Sequence, residues 1–368
     1  DRLIWRIDSA GEGLMADKKQ GINLRDRGAE YWERSPKWRR VAMSIFFIAI
    51  CYALPFLNNP LINTPGSDFQ SVLFYPVGMY VLMAIGLNIV VGKSGLLDLG
   101  YVAFFAIGAY TMAILGTKTS LNFWEIMPIG VGLAMLSGVL LGTPTLRLRG
   151  DYLAIVTLGF GEIVRIFAVN TDSIGGARGI AGIPTPPDIF KAKFTILDPK
   201  PYYWVLLTFT LLIIWMVRRM AARRPGRAWD AIRQDDDVAQ LMGIDTRKYK
   251  VWAFVLGAAV AGMGGVIYAS QILSIVPDQF NLNISILILA CVVFGGIGNI
   301  WGVILGAVLL SFTPERIRFL SQPRILVFGI ALVVMMNLRP DGILPKKKRE
   351  HFDPDWHTVE ESGEGQIK

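Results

Sequence analysis

Apolar runs long enough to cross a lipid bilayer recur along this chain and constrain its fold more than any other feature. A spanning helix needs about 20 mostly apolar residues, because only helices and closed barrels satisfy the backbone in lipid. Ten segments are candidates: 41–57, 71–91, 99–115, 124–142, 152–169, 202–217, 251–270, 284–297, 300–313 and 325–338. Only 18% of the residues are charged, against about 25% in soluble domains. The sequence therefore predicts an all-α polytopic membrane protein with about ten transmembrane helices, eight or nine being the main alternatives.

The distribution of Lys and Arg predicts which loops are cytoplasmic, because loops on that side carry an excess of them. The tail 1–40 is basic, whereas the loop 58–70 holds neither Lys nor Arg. Alternation then places the basic loop 218–250 and the run 346–349 inside, so both termini are predicted to be cytoplasmic. Two predicted outer loops also carry basic residues and fit this topology less well: 170–201 and 314–324.

These assignments divide the chain into three parts. Residues 1–40 form a cytoplasmic or interfacial tail, 41–338 form the transmembrane domain, and 339–368 form a cytoplasmic C-terminal tail. The formal charge of +8 does not indicate nucleic-acid binding, because the basic residues flank the spans and form none of the known binding modules. The protein is therefore predicted to reside in a membrane as a multi-pass chain.

Few residues in the chain offer catalytic or metal-binding chemistry. The histidines are His351 and His357, both in the polar tail, so we exclude a histidine site within the membrane. Cys51 and Cys291 fall in apolar spans and are interpreted as buried thiols. A nucleophile, a base and an orienting group cannot be proposed together, so the chain is not predicted to be an enzyme.

Residues 87–94, LNIVVGKS, resemble a phosphate-binding loop at first sight. That motif requires a glycine five residues before Gly92, and Leu87 stands there instead. The preceding segment is also an apolar span rather than a strand. We predict that the chain does not bind ATP through this motif and holds no cofactor of its own.

Glycines punctuate the edges of the apolar segments at 92–95, 175–182 and 295–302. Interrupted helices are tolerated at membrane depth where protein or water satisfies the backbone, and they commonly surround a transport path. Small residues also permit close helix packing. The sequence leaves these two interpretations open.

Ionisable residues within apolar runs carry a functional hypothesis by default. Glu162 and Arg165 lie three apart on one helical face, so mutual pairing is the simpler interpretation. Asp98 precedes an apolar run and is placed to cap that helix. Structural roles of this kind and a place in a substrate path both remain open.

The loop 218–250 carries nine Lys/Arg and five Asp between two apolar runs. Its sequence predicts two short helices rather than an irregular linker. Trp229 and Ile232 share a face of the first. The second has a face of its own, formed by Val238, Leu241 and Met242.

Both ends of the second helix carry terminal signals. Asp235-Asp-Asp237 suits the start, as a cap and against the helix dipole. Gly243 suits the end, where a left-handed residue is needed. We interpret the loop as a knob that docks on a soluble partner. A solvated basic loop that merely fixes topology would not need its apolar residues or its closing glycine.

Five segments of the chain resemble motifs of one known family. Residues 237–243, DVAQLMG, resemble the coupling motif of ABC importer permeases, with Asp and Val in place of the usual Glu and Ala. The remaining segments are more specific: GLNIVVGKSGLLDLGYVAFFAIGAY at 86–110, LRLRGDYLAIVTLGFGE at 146–162, GGIGNIWG at 295–302 and LRPDG at 338–342. They are similar to the branched-chain, hydrophobic amino acid permeases, closest to the larger permease subunit, and the resemblance covers roughly residues 71–345.

The resemblance implies a type II importer fold, similar to the ten-helix permease of the vitamin B12 importer. It implies a bacterial inner-membrane complex of two homologous permeases, two cytoplasmic ATPases that use ATP and magnesium, and an extracytoplasmic solute-binding protein. ATPase closure would drive alternating access through the loop at 218–250.

Site residues follow as expectations. The predicted ATPase-docking residues are Trp229, Ile232, Asp237, Ala239 and Gly243. A path for an amino acid zwitterion needs donors for a carboxylate and acceptors for an ammonium. The predicted path residues are Asn88, Ser94, Tyr101, Thr157 and Glu162.

Two alternatives remain open at this point. Relatives in this family carry urea or short amides through the same coupling, and a secondary transporter driven by an ion gradient would need no ATPase.

Overall fold

A computed structural model describes residues 37–56, 68–145, 150–188, 194–195, 198–317, 324–339 and 342–344. The chain divides into two units, Asp1–Leu57 and Asn58–Lys368. The described part of the first unit is helix α1, Lys37–Ala53, followed by a 3-10 turn at Leu54–Phe56.

The second unit is built from apolar helices joined by short connections. In chain order they are α2 (Phe69–Lys93), α3 (Val102–Lys118), α4 (Phe123–Thr145), α5 (Asp151–Asn170), α6 (Lys200–Ala221), α7 (Arg224–Gln234), α8 (Asp236–Leu241), α9 (Thr246–Ile272), α10 (Leu282–Gly295), α11 (Ile300–Arg316) and α12 (Arg324–Leu338). Two two-residue strands, β1 (Ile180–Ala181) and β2 (Ser274–Ile275), pair antiparallel, with Ile180 opposite Ile275. Three 3-10 turns lie near them: Asp172–Ile174, Gly176–Arg178 and Pro277–Phe280.

A helix overlaps each of the ten segments predicted to cross the bilayer. Six helical segments have both the length and the apolar composition of a membrane span; for three more, 45–56, 102–118 and 328–338, the apolar helix is shorter. The prediction of a helical polytopic membrane protein is thereby confirmed for the described residues. The N-terminal tail before Lys37, the loop arginines at 147 and 149 and the basic run at 346–349 lie outside them.

Helix α9 forms the centre of the second unit, and small residues set its packing. A Cβ added to Gly108 of α3 would collide with the backbone carbonyl of Gly262, and one added to Gly265 would collide with that of Phe105. Backbones approach this closely only where side chains are absent, which is how membrane helices gain packing energy without a hydrophobic driving force.

Some of these glycines interrupt helices and others permit close packing, whereas a transport path around them stays a prediction. Gly95 (φ 73°), Gly296 (φ 115°) and Gly298 (φ 89°) adopt backbone conformations that favour glycine and interrupt the helices. Gly295 and Gly302 instead provide a close crossing, since a Cβ on either would collide with the carbonyl oxygen of the other. Helix α10 ends at Gly295, two residues before the predicted boundary, because Gly296 leaves helical geometry.

Helix α2 is interrupted within its own length. It is kinked at Tyr75, which has non-helical angles (φ −135°, ψ 126°), and its C-terminal end widens into a π-helical turn at Asn88–Lys93. The irregular stretch 94–101 follows before α3 begins. Discontinuous helices of this kind place unpaired backbone groups inside the protein, where side chains must satisfy them.

Candidate functional site

The predicted knob is present as helices α7 and α8, and local chemistry fixes both ends of α8. The carboxylate of Asp235 accepts hydrogen bonds from the N–H groups of Asp237 at 2.9 Å and Val238 at 3.0 Å. At the other end Gly243 has φ 80°. The N–H of Gly243 donates to Gln240 O at 2.9 Å, and that of Ile244 donates to Ala239 O at 3.1 Å. This pair of bonds is a Schellman ending, so the predicted cap and closing glycine are confirmed.

The knob is fastened to the start of α9 by three side-chain contacts. The indole Nε1 of Trp229 donates to Tyr249 O at 2.8 Å. Lys250 Nζ lies 2.6 Å from the Asp236 carboxylate, and Gln240 Nε2 donates to Thr246 Oγ1 at 2.8 Å. Helix α9 continues from these contacts into the centre of the helix bundle.

Burial separates the residues that support the knob from those that face outward. Trp229, Ile232 and Ala239 are 1%, 4% and 3% exposed, so they pack inside the knob in this conformation. The outward apolar residues are Val238, Leu241 and Met242, which are 53%, 86% and 78% exposed. Asp237 and Gly243 are also exposed. The docking role of the five predicted residues stays a prediction. Within the knob, the buried residues Trp229, Ile232 and Ala239 support its packing and do not form its outer surface.

Four of the five predicted path residues lie around the break after α2, where the helix ends in the glycine-punctuated stretch 92–95 and the backbone stays irregular as far as 101. Tyr101 is fully buried and its hydroxyl donates to Gly257 O at 2.9 Å. The Thr157 hydroxyl accepts from the N–H of Leu99 at 3.0 Å. Ser94 Oγ donates to Val90 O at 2.6 Å, and Asn88 Oδ1 accepts from the N–H of Gly298 at 2.8 Å. In this conformation Asn88, Ser94 and Thr157 bond to backbone of interrupted or irregular segments, whereas Tyr101 bonds to a carbonyl within helix α9.

The fifth predicted path residue, Glu162, is separate from this group. Arg165 Nε lies 2.9 Å from its carboxylate, and Arg165 Nη1 lies 3.3 Å from Asp278. The predicted Glu162–Arg165 pair is therefore confirmed. It links α5 to the 3-10 turn that precedes α10.

The prediction that Asp98 caps α3 is wrong. The first flanking residue of α3 is Tyr101, which makes no side-chain cap. Asp98 is fully buried and accepts the N–H of Gly100 at 2.9 Å. It stabilises the turn before the helix, because the irregular stretch 94–101 places the carboxylate too early to reach the N–H groups of α3.

The sequence did not single out Arg233, the residue that joins the knob to α2. Its Nη1 donates to Gly92 O at 2.6 Å. The loop arginines were interpreted only as markers of the cytoplasmic side. Nothing in the local sequence around Arg233 signals that this arginine reaches a distant carbonyl.

Comparison with known proteins assigns the chain to a family. The family described as branched-chain amino acid transport system / permease component matches residues 71–337. The high-affinity branched-chain amino acid transport system permease protein LivM of Escherichia coli (strain K12) is 42% identical over 288 residues, covering 73% of this chain and 68% of that protein. No solved structure shows a significant match.

More distant relatives cover a similar share of the chain. A probable branched-chain amino acid transport permease protein LivM of Methanocaldococcus jannaschii is 24% identical over 329 residues, covering 76% of this chain and 94% of that protein. The permease protein LivH of Salmonella typhimurium is 26% identical over 294 residues, covering 74% and 92%. The chain thus belongs to the family of branched-chain amino acid transport permease components, and it is a multi-pass membrane protein of that family.

Proposed function

We propose that this chain is one permease subunit of an ATP-driven importer that moves branched-chain and other hydrophobic amino acids across the bacterial cytoplasmic membrane. The observation that carries the proposal is the capped, two-helix knob with Val238, Leu241 and Met242 outward and Trp229 anchored on α9. An ATP-driven permease that binds no ATP itself takes its driving force from contact with an ATPase, and the outward apolar residues of the knob suit such a contact.

The partners follow from the family. Two cytoplasmic ATPases bind the knobs of two homologous permeases, and a solute-binding protein delivers the substrate from outside. The relatives named LivM and LivH support two different permeases in one complex. ATP and magnesium act in the ATPases, and this chain carries no cofactor of its own.

The fold proposed for the complete chain is the type II importer permease with ten crossings and both termini cytoplasmic. Ten helices at the predicted positions support the crossing number. The orientation is supported by the position of the knob relative to the segment after α12. Residues 343–344 bond to Phe294 and Gly295, and Gly298 bonds to Asn88 near the knob, so the knob and the segment after α12 lie at one end of the second unit.

Substrate would pass along the break after α2 as the helices rearrange. Asn88, Ser94, Tyr101 and Thr157 then exchange their backbone partners for the carboxylate and ammonium of the amino acid. Glu162 joins this path only if Arg165 releases it. Alternating access requires such exchangeable polar groups, since a buried polar group left unpaired costs about 1–3 kcal/mol.

Reconstitution tests the proposal. The permease pair, the ATPases and the binding protein are assembled in proteoliposomes, and ATP-dependent uptake of radiolabelled leucine is measured beside urea and acetamide. We expect leucine uptake to require ATP and all subunits. Uptake of urea or acetamide without leucine would replace the substrate assignment. Leucine uptake by the permeases alone under an ion gradient, without co-purifying ATPases, would replace the transport class.

A further inference from the structure

Arg233 lies in the last turn of α7 and caps a carbonyl at the end of α2. The final carbonyls of a helix have no intrahelical partner, and Gly92 is in the last turn of α2. Arg233 Nη1 donates to Gly92 O at 2.6 Å. A cation near a helix C-terminus also interacts favourably with the helix dipole. The knob therefore holds the end of a helix that belongs to the transmembrane core.

The stem of Arg233 lies against the break itself. A Cβ added to Gly95 would lie 3.3 Å from Arg233 Cγ, and Gly95 has φ 73°. Both the conformation and the absence of a side chain at Gly95 let the arginine lie along the irregular backbone. Arg233 thus contacts α2 at Gly92 and the start of the irregular stretch at Gly95.

Gly92, whose carbonyl accepts the hydrogen bond from Arg233, lies where the glycine-punctuated regions 92–95 and 295–302 contact each other. A Cβ on Gly92 would collide with Asn88 Oδ1 and would lie 2.8 Å from the N of Gly298. Asn88 Oδ1 in turn accepts the N–H of Gly298 at 2.8 Å. A shift of Gly92 therefore displaces the contact between the break after α2 and the break between α10 and α11.

Two side chains of helix α7 bond to two different helices. Trp229 and Arg233 are four residues apart and share one helical face. Trp229 fastens α7 to Tyr249 at the start of α9, whereas Arg233 fastens it to Gly92. A rotation of the knob would act on α9 and on the break at the same time. Helix interruptions are suited to receive such a movement, because a few non-helical residues absorb large changes in backbone angle.

We propose that Arg233 is the positioning residue that transmits movement of the ATPase-docking knob to the paired breaks at 92–95 and 296–298. This inference rests on the proposed coupling to ATPases and deepens it. Trp229 keeps the knob packed on α9, and Arg233 couples the position of the break after α2 to the position of the knob. Without Arg233 the ATPases would dock and hydrolyse ATP while the break moved independently.

The test measures leucine imported per ATP hydrolysed by the complete complex in proteoliposomes, with Arg233→Ala and Arg233→Lys beside the unaltered chain. For Arg233→Ala we expect co-purification with the ATPases to be retained and the import-to-hydrolysis ratio to fall by about 5- to 150-fold, the span of typical coupling strengths. Lysine keeps a donor and a charge but loses the planar fork, so Arg233→Lys should recover part of the ratio.

Arg227→Ala provides the matched control. Arg227 is an exposed arginine of the same helix, and its replacement should leave the ratio within twofold of the unaltered complex, on the order of the change expected for a surface substitution. An unchanged ratio in Arg233→Ala would overturn the inference, as would loss of ATPase co-purification, which would make Arg233 a docking residue. Absence of ATP-dependent leucine uptake in the unaltered complex would contradict the proposed function itself. This outcome differs from an unchanged ratio in Arg233→Ala, which contradicts only the role of Arg233.

Discussion

The side-chain oxygen of Asn88 accepts a hydrogen bond at 2.8 Å from the backbone N–H of Gly298, 210 positions later in the chain. Both partners lie in interrupted parts of helices, one in the π-helical end of α2 and the other between α10 and α11. A regular helix would satisfy its own N–H groups, so the N–H of Gly298 is available for this cross-connection because the chain between α10 and α11 is not helical. The bond joins the glycine-punctuated regions 92–95 and 295–302 into one structural feature.

Replacement of Asn88 by leucine should destabilise the transmembrane domain. Leucine keeps the branching of the side chain at Cγ, but the buried N–H of Gly298 loses its acceptor, which costs about 1–3 kcal/mol. We expect the midpoint of thermal unfolding in detergent, followed by size-exclusion of the heated sample, to fall. Asn170→Leu is the control, because Asn170 is exposed and donates to Ile166 O of its own helix. Equal midpoints for the two variants would contradict this role of Asn88.

Gly243→Val should disable coupling through the backbone of the knob. Gly243 has φ 80°, and a Cβ there would meet nothing within 4 Å, so crowding does not contribute. The left-handed conformation costs an L-residue roughly 1–2 kcal/mol, and more for a β-branched one. We expect ATP-dependent leucine uptake to fall while membrane insertion is retained.

Gly243→Asn tests whether position 243 requires the left-handed conformation or glycine itself, because Asn tolerates the left-handed region. Gly243→Asn should keep most of the uptake that Gly243→Val loses. If valine and asparagine impair uptake equally, the Schellman ending of α8 is not what matters at this position.

Leu241→Gln should weaken ATPase binding without unfolding the permease. Leu241 is 86% exposed, so the substitution removes little buried surface from the chain itself, and glutamine preserves helix propensity. A contact residue of ordinary weight contributes about 1 kcal/mol, so affinity for the ATPase should fall roughly fivefold. Pull-down titration with the isolated ATPase measures it. Leu241→Met, which keeps the apolar contact, should bind as the unaltered chain does; identical binding by the glutamine variant would remove Leu241 from the docking surface.

Gly108→Ala should destabilise the helix bundle, whereas Gly132→Ala should not. A Cβ at Gly108 collides with the carbonyl of Gly262, but one at Gly132 meets nothing within 4 Å. Overpacking of a tight site costs about 1–3 kcal/mol, while an uncrowded helical Gly→Ala exchange is neutral or favourable by roughly 0.5–1 kcal/mol. The thermal midpoints of the two variants in detergent should move in opposite directions. A loss of stability in both would show that glycine at these positions acts through something other than the α3–α9 crossing.

Much of the fold followed from local patterns in the sequence. Apolar runs located ten helices because backbone satisfaction in lipid demands helices of that length and composition. The Asp235 cap and the Gly243 ending were equally readable, since a capping carboxylate and a left-handed glycine act within a few residues of their own position. Pairing of Glu162 with Arg165 followed from helical spacing alone.

The tertiary structure decided what those elements do to one another. The sequence placed Trp229 and Val238 on apolar faces of two helices, but only packing buried the first against α9 and left the second exposed. Asp98 was expected to cap a helix and instead closes a turn, because the start of α3 depends on the irregular stretch before it. The Arg233–Gly92 and Asn88–Gly298 bonds join residues 141 and 210 positions apart. Contacts at such separations arise from helix packing, and the sequence by itself determines only the helices that make them.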